Sequence, residues 1–221
     1  MQDMTYFEHT RREIASLLPT RLGRVLEVGC GTGATLRWLK AEHPEIETTG
    51  VEYEPAAGAV LKTNVDHALV GSITDLLPTL GTYDTILCLD VLEHLTDGDA
   101  ILRGLVEHLA PGGAVLVSLP NVAHLSVAVP LLLRRRFPYA DAGILDRTHV
   151  RFFVEDSVVR LMNDAGLHIE AGWLSGMQGP RAKLLDRLTF GLLRHHLTKQ
   201  YVFRARRSQS ESQPPVAWAP L

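Results

Sequence analysis

The chain has 221 residues, enough for one domain with elaborations and too few for two full domains. Hydrophobic residues at 46% and charged residues at 21% exclude wholesale disorder, and a net charge of -3 gives no global field toward nucleic acid or an anionic membrane. The apolar run 122–133 is interrupted by His124 and Pro130 and is too short to span a bilayer. No basic leader followed by an apolar run opens the chain, so the expectation is a cytoplasmic protein. Cys30 and Cys88 fall at strand ends and form no disulfide framework.

Short apolar runs and segments of helical period alternate along the chain. Residues 5–18 read as a leading helix with Tyr6 and Phe7 early and Arg11 and Arg12 after them. RVLEV (24–28) reads as the first strand and ATLRWLKAEH (34–43) as the helix after it. ETTGVEY (47–53), DTILCL (84–89) and AVLVSL (114–119) continue the strands, with GDAILRGLVEHLA (98–110) helical between the last two. Near-continuous apolar strands alternating with helices predict an α/β fold whose parallel sheet is covered on both faces.

After AVLVSL, residues 121–153 leave this alternation, at the sheet edge where open α/β folds build ligand crevices. VEDSVVRLMNDAG (154–166) reads as a helix with an acidic first turn and a glycine stop. LHIEAGW (167–173) and QYVFRAR (200–206) read as two late strands. Between them, residues 183–196 carry a helical stripe of Leu184, Leu185, Leu188, Leu192 and Leu193, read as a core or homodimer face ahead of a membrane surface. The Ser-, Gln- and Pro-rich tail 208–221 is expected to be disordered, leaving a single domain over residues 1–207.

VLEVGCGTG (25–33) is a strand entering a glycine turn and then a helix. Gly29 and Gly31 allow a tight turn and a close backbone approach to a ligand. The string also fits the dinucleotide pattern G-x-G-x-x-G/A, and either ligand would use Glu52 in GVEYEP for its ribose hydroxyls. Glu27, two residues before Gly29, is placed to hold an amino group or to order the loop. YDTILCLDVLEHL (83–95) sets polar residues just past a strand, and LAPGGAVLVSLPN (109–121) is a helix end, a Pro-Gly-Gly turn and a strand.

In this order, the four segments resemble the class I S-adenosylmethionine-dependent methyltransferases over roughly residues 5–206. The resemblance implies a Rossmann-like, mostly parallel seven-stranded sheet with a substrate lid at about residues 121–153 and S-adenosylmethionine as cofactor. It places Gly29, Gly31 and Gly33 along the methionine, Glu52 on the ribose, Tyr53 beside the adenine, and Leu89 and Asp90 near the methionine and ribose. Where the family often has an acid for the adenine amino group, this chain reads LVGSITDL (69–76), so Gly71, Ser72 and Ile73 serve instead. Tyr6 and Arg11 are placed to close over the cofactor carboxylate, although helix packing alone also accounts for Tyr6.

Asp90, Glu93 and His94 stand at i, i+3 and i+4, one face of a helical turn. Two carboxylates and an imidazole so spaced suit a divalent cation, Mg²⁺ or Mn²⁺, with His149 of GILDRTHVRFF (143–153) as a fourth ligand. The set resembles two groups of metal-dependent O-methyltransferases, the ubiquinone-biosynthesis enzymes and the small-RNA 2′-O-methyltransferases, with Asp90 where they mostly carry Glu. The cation would bind the substrate hydroxyl and lower its pKa. Class I enzymes without a metal carry similar segments, and His149 or His94 would then be the general base.

SLPNVAH with FPYADAGILDRTHVRFF resembles methyltransferases of bacterial glycan and polysaccharide assembly, which implies a sugar hydroxyl or oligosaccharide as acceptor. Asn121, His124, Tyr139, Asp141 and Asp146 are the candidate contacts; Arg134 to Arg136 read as a solvated face or a phosphate-capturing patch. Three rivals stand beside a sugar O-methyltransferase. RNA 2′-O-methylation is opposed by the acidic charge and the lack of a basic stripe with stacking aromatics. Methylation of a phenolic or catechol hydroxyl is the second. A non-catalytic cofactor-binding module is the third, and the set Asp90, Glu93, His94 and His149 argues against it.

Overall fold

The computed structural model describes residues 7–177 and 179–208; Tyr6 and the tail beyond residue 208 lie outside the described residues. One seven-stranded sheet contains β1 (Arg24–Val28), β2 (Glu47–Glu52), β3 (His67–Val70), β4 (Tyr83–Leu89), β5 (Leu109–Pro120), β6 (Leu167–Ser175) and β7 (Gln200–Arg207). Their spatial order is β3-β2-β1-β4-β5-β7-β6. β1 to β5 run parallel, and β7 enters antiparallel between β5 and β6. The helices are α1 (Ala34–Glu42), α2 (Pro55–Leu61), α3 (Ile73–Leu76), α4 (Gly98–Glu107), α5 (Leu125–Arg134), α6 (Glu155–Asp164), α7 (Pro180–Leu188) and α8 (Arg194–Leu197).

A central strand buried on both faces needs apolar residues at successive positions, because neighbouring side chains point to opposite layers. Val25, Leu87 and Leu116 accordingly pack with Ile14, Leu17, Leu36 and Leu39. Their neighbours Leu26, Ile86 and Val115 pack on the other side with Leu102, Leu105, Val158 and Met162. Cys30 and Cys88 are free and buried within these layers. The chain moves outward from β1 in one direction and from β4 in the other, so the crevice lies at the C-terminal ends of those two strands. No helix of the described residues is long and apolar enough to cross a membrane.

Two expected helices come out differently. Among the described residues the leading segment forms no α-helix but a 3-10 helix, Arg12–Leu17, and its earlier residues are drawn across the glycine turn: Thr32 N and Oγ1 both donate to the Phe7 carbonyl. The stripe at residues 183–196 is broken after α7, where Phe190 (φ +51°) and Gly191 (φ +82°) turn the chain by left-handed backbone. Leu188 and Leu192 are 66% and 81% exposed, so this segment is not core.

The lid insertion is stapled at its base. Val122 N donates to Phe153 O (2.9 Å), which ties the two ends of the insertion together. Asn121, expected on the substrate, is instead fully buried. Its amide donates to the carbonyls of His195 (2.6 Å) and Thr198 (2.8 Å), and its oxygen accepts from Ala123 N (3.0 Å). Asn121→Ala would orphan these backbone groups at a cost of about 2 kcal/mol, lowering the melting temperature by roughly 4–8 °C in thermal denaturation followed by circular dichroism.

Candidate active site

A cavity of about 1190 Å³ opens at the C-terminal ends of β1, β2, β4 and β5. Of the expected site residues, Arg11, Glu27, Gly29, Gly31, Glu52, Tyr53, Gly71, Ser72, Ile73, Leu89, Asp90, Glu93, His94, Asp146 and His149 line it. Gly33, Asn121, His124, Tyr139 and Asp141 are not among its lining residues. Seven carboxylates border the cavity against two permanent cations, Arg11 and Lys199, so its field favours a cationic ligand.

The glycine turn is closed upon itself. Gly29 N and Cys30 N donate to Val51 O, Gly31 N to Glu52 Oε2 (2.7 Å), Thr32 N to Phe7 O, and Gly33 N to Cys30 O. All five consecutive amides are spent inside the chain, which leaves none of the turn's own N–H groups for the pyrophosphate of a dinucleotide. What the turn offers is bare backbone. A Cβ on Gly31 would stand 2.5 Å from the Phe7 carbonyl, and φ of +55° there also calls for glycine. Gly33 sits behind the turn as the cap of α1, facing Leu61 and Val65.

Glu52 is 6% exposed, and besides Gly31 N it accepts from Glu54 N through Oε1 (2.8 Å). Both oxygens are thus fixed in orientation at the cavity wall. Tyr53 beside it is 75% exposed, a flat ring at the rim. Glu27 lies deeper, and its Oε2 has no hydrogen-bond partner among the described residues. Burial pushes its carboxyl up to about 8, against the opposing pull of Arg11.

Asp90 does not share a helical face with Glu93 and His94. It ends β4 in left-handed backbone (φ +54°), and only Leu92–His94 form a short 3-10 turn. Its carboxylate accepts from the Arg11 guanidinium, from Ser118 Oγ (2.7 Å) and from the Gln200 side-chain amide. That network draws Asp90 out of the cluster, so the expected group of four potential ligands is reduced to three. Gln200, on the cavity wall, was not singled out by sequence because an amide at the start of a late strand carries no motif.

Glu93, His94 and His149 do converge, with one potential ligand atom from each lying within 4.8 Å of the others. The backbone brings them together: Val150 N (2.9 Å) and Arg151 N (3.1 Å) donate to Glu93 O, docking the end of the lid onto the 3-10 turn. His94 Nδ1–H donates to Thr148 O (3.3 Å) and His149 Nδ1–H to Ile144 O (3.1 Å), since a carbonyl can only accept. Both Nε2 lone pairs are thereby left free, and His149 Nε2 lies 4.0 Å from Glu93 Oε1. Both Glu93 oxygens are buried without a hydrogen-bond partner among the described residues. Burial first, then the nearby Asp90, raises the Glu93 carboxyl well above its ordinary range. Burial and His149 hold the His94 imidazole below its ordinary value, so it is neutral at physiological pH. Two fixed imidazoles and an orphaned carboxylate are a donor set that fits a divalent cation.

The remaining expected substrate residues all have partners within the chain. His124 caps α5, accepting from Ser126 N. Tyr139 packs edge-on against Phe137, whose ring does the same on Phe152. Asp141 pairs with Arg147 at the surface. Asp146 is 4% exposed and faces the cavity, but its Oδ1 accepts from Thr148 N (2.8 Å) and Oγ1 (2.6 Å), which holds the loop that carries His149.

A family model described as methyltransferase domain matches residues 5–171. An uncharacterized protein of a Synechococcus strain is 30% identical over 139 residues, spanning 56% of this chain and 33% of that protein. The ubiquinone biosynthesis O-methyltransferase of Rickettsia akari is 23% identical over 167 residues, 73% of this chain and 63% of the relative. The chain therefore spans between a third and just under two-thirds of these relatives. The crystal structure of a SAM-dependent methyltransferase from Archaeoglobus fulgidus shares the fold with a TM-score of 0.65 at 16% identity, covering 93% of this chain and 95% of that one.

The buried Glu27 makes a pH signature. A carboxyl raised from 4.5 to about 8 on folding contributes no penalty below its unfolded value and an increasing one as pH climbs toward 8. Glu27→Gln is therefore expected to gain stability relative to the unchanged protein across that window, at most about 1.4 kcal/mol per pH unit, and no further above it. Urea unfolding of both proteins at steps from pH 5 to 9 checks this; parallel curves would show that folding does not raise the Glu27 carboxyl.

Proposed function

This chain belongs to the family of methyltransferase domains, and on that premise we propose that it transfers a methyl group from S-adenosylmethionine to a hydroxyl oxygen, assisted by a divalent cation, Mg²⁺ or Mn²⁺. The observation that carries the proposal is the pair of unpartnered, buried Glu93 oxygens beside two imidazoles with pinned Nδ1 and free Nε2. The cofactor supplies an electrophilic methyl on a sulfonium. Glu52 would accept from the ribose hydroxyls, Glu27 from the ammonium, and Gly29 and Gly31 would let the methionine chain lie on the backbone. Tyr53, Gly71, Ser72 and Ile73 would surround the adenine.

A cation held by Glu93, His94 and His149 would supply positive charge beside the acceptor hydroxyl and lower its pKa. The protein's own part is positioning: the 3-10 turn and the lid end aim the acceptor oxygen across the cavity for in-line displacement. If the same residues work without a cation, His149 Nε2 takes the hydroxyl proton as general base, since its Nδ1 is already committed as a donor.

The acceptor class is a hydroxyl with a neighbouring oxygen, as in a sugar or small glycan. A catechol-type phenolic ring is the second reading, favoured by the relatives named as ubiquinone biosynthesis O-methyltransferases and by the four expected sugar contacts that do not line the cavity. Turnover of saccharides against catechols separates the two.

Calorimetric titration of chelator-treated protein with S-adenosylhomocysteine should give binding, and Mg²⁺ or Mn²⁺ should add a separate heat that Glu93→Ala abolishes. His149→Ala should hold cofactor affinity within about twofold and lose at least about 100-fold in turnover. Absence of S-adenosylhomocysteine binding would refute the methyl-transfer reading; binding with no metal heat would leave the histidine-base form.

A further inference from the structure

The net charge of -3 conceals a strong segregation. Residues 125–136 carry three arginines and no acid, while residues 179–199 carry five lysines and arginines and one aspartate. These two stretches hold +7 together, so the rest of the chain carries -10. The same stretches expose large apolar side chains. On α5, Leu132 and Leu133 are 81% and 74% exposed; in the turn after α7, Phe190 and Leu192 are 94% and 81% exposed. Arg134, Arg135 and Arg136 follow the α5 leucines directly and are also exposed, as are Arg181, Lys183 and Arg187 on α7.

Both stretches are rooted at the cavity mouth. α5 leaves after Pro120 and its chain returns by Ala142, while α7 and α8 run between Ser175 and Lys199, and all four of these residues line the cavity. Their bases are joined by the Asn121 amide on the His195 carbonyl and by His196 Nδ1 on Ala123 O (3.0 Å). Apolar tips backed by cations are what an anionic lipid–water interface binds, the tips entering the acyl boundary and the cations meeting headgroup phosphates. A two-fold dimer through this surface would instead set a positive patch against its own copy.

We propose that the two insertions form a docking surface for an anionic lipid bilayer. Given the methyl-transfer reading above, on which this consequence rests, the acceptor hydroxyl would reach the cavity as the head of a lipid-tethered molecule. Flotation of the full chain with phosphatidylcholine vesicles, with and without about a quarter phosphatidylglycerol, tests the docking. The expected result is binding to the anionic vesicles alone, weakened in high salt. Replacing Arg134, Arg135 and Arg136 by alanine should weaken it about 100-fold, at about fivefold per cation. Leu132→Asp combined with Phe190→Asp should abolish it, with melting temperature and S-adenosylhomocysteine affinity unchanged.

No binding to anionic vesicles, or undiminished binding by both variants, would overturn the proposal. So would a solution dimer that Phe190→Asp dissociates, or tight binding of short RNA lost in the same variants. Vesicle binding is read without cofactor or acceptor, so its failure and a failure of methyl transfer are separate results.

Discussion

The carboxylate of Asp90 ties together stretches of chain that lie far apart in sequence. Arg11 comes from the leading segment, Ser118 from β5 and Gln200 from β7, and all three converge on the end of β4. The Arg11 side chain is only 12% exposed, and a guanidinium so far from water must be paired. Its commitment to Asp90 holds the leading segment across the glycine turn, where Arg11 N also donates to Thr35 Oγ1 (3.2 Å). One wall of the cavity therefore depends on this ion pair.

The same pairing shapes the electrostatics further in. With the Arg11 charge taken up by Asp90 and Glu13, Glu93 forms no ion pair with a lysine or arginine among the described residues. Burial then opposes its ionisation, as it does for Glu27. A desolvated carboxylate is stabilised by any cation that reaches it, and the cavity holds two such groups at different depths. An ammonium at one and a metal ion at the other would relieve both. On the proposed methyl-transfer reading, the end of β1 would receive the cofactor, and the 3-10 turn with the lid would receive the acceptor.

The parts legible in sequence were those that a local rule governs. β1, α1, β4 and β7 fall within a residue or so of the runs that announce them, and for the strands the reason is that burial on two faces calls for mostly apolar residues. The glycine turn was legible because bare backbone at a tight turn needs fixed residue types at fixed spacing, and Glu52, at the end of the next strand, does face the cavity. The helical face proposed for Asp90, Glu93 and His94 was not, because the left-handed Asp90 is a tertiary requirement that the i, i+3, i+4 spacing does not encode. The leading helix failed for the same reason: the Phe7 carbonyl accepts from Thr32, a tertiary contact that local periodicity does not encode. The leucines at 184–193 carry the same periodicity that a core helix would, and only the fold reveals that Leu188 and Leu192 are left largely exposed.

The lid holds His149 in place largely from within. Its loop is closed by its own backbone: Ala140 N donates to Leu145 O (2.8 Å), Arg147 N to Ala140 O (3.0 Å) and His149 N to Asp146 O (3.1 Å). Asp146 adds its bonds to Thr148, so the Ile144 carbonyl is held where His149 Nδ1 needs it without help from the sheet. Ala142, Gly143 and Ile144 face the cavity from this frame and contribute little that is chemically specific. The geometry of His149 is thus set by backbone atoms and not by the side chains of these three residues. Two polar residues expected to contact a sugar also serve the lid itself, Asp146 through its bonds to Thr148 and Asn121 through its amide at the base.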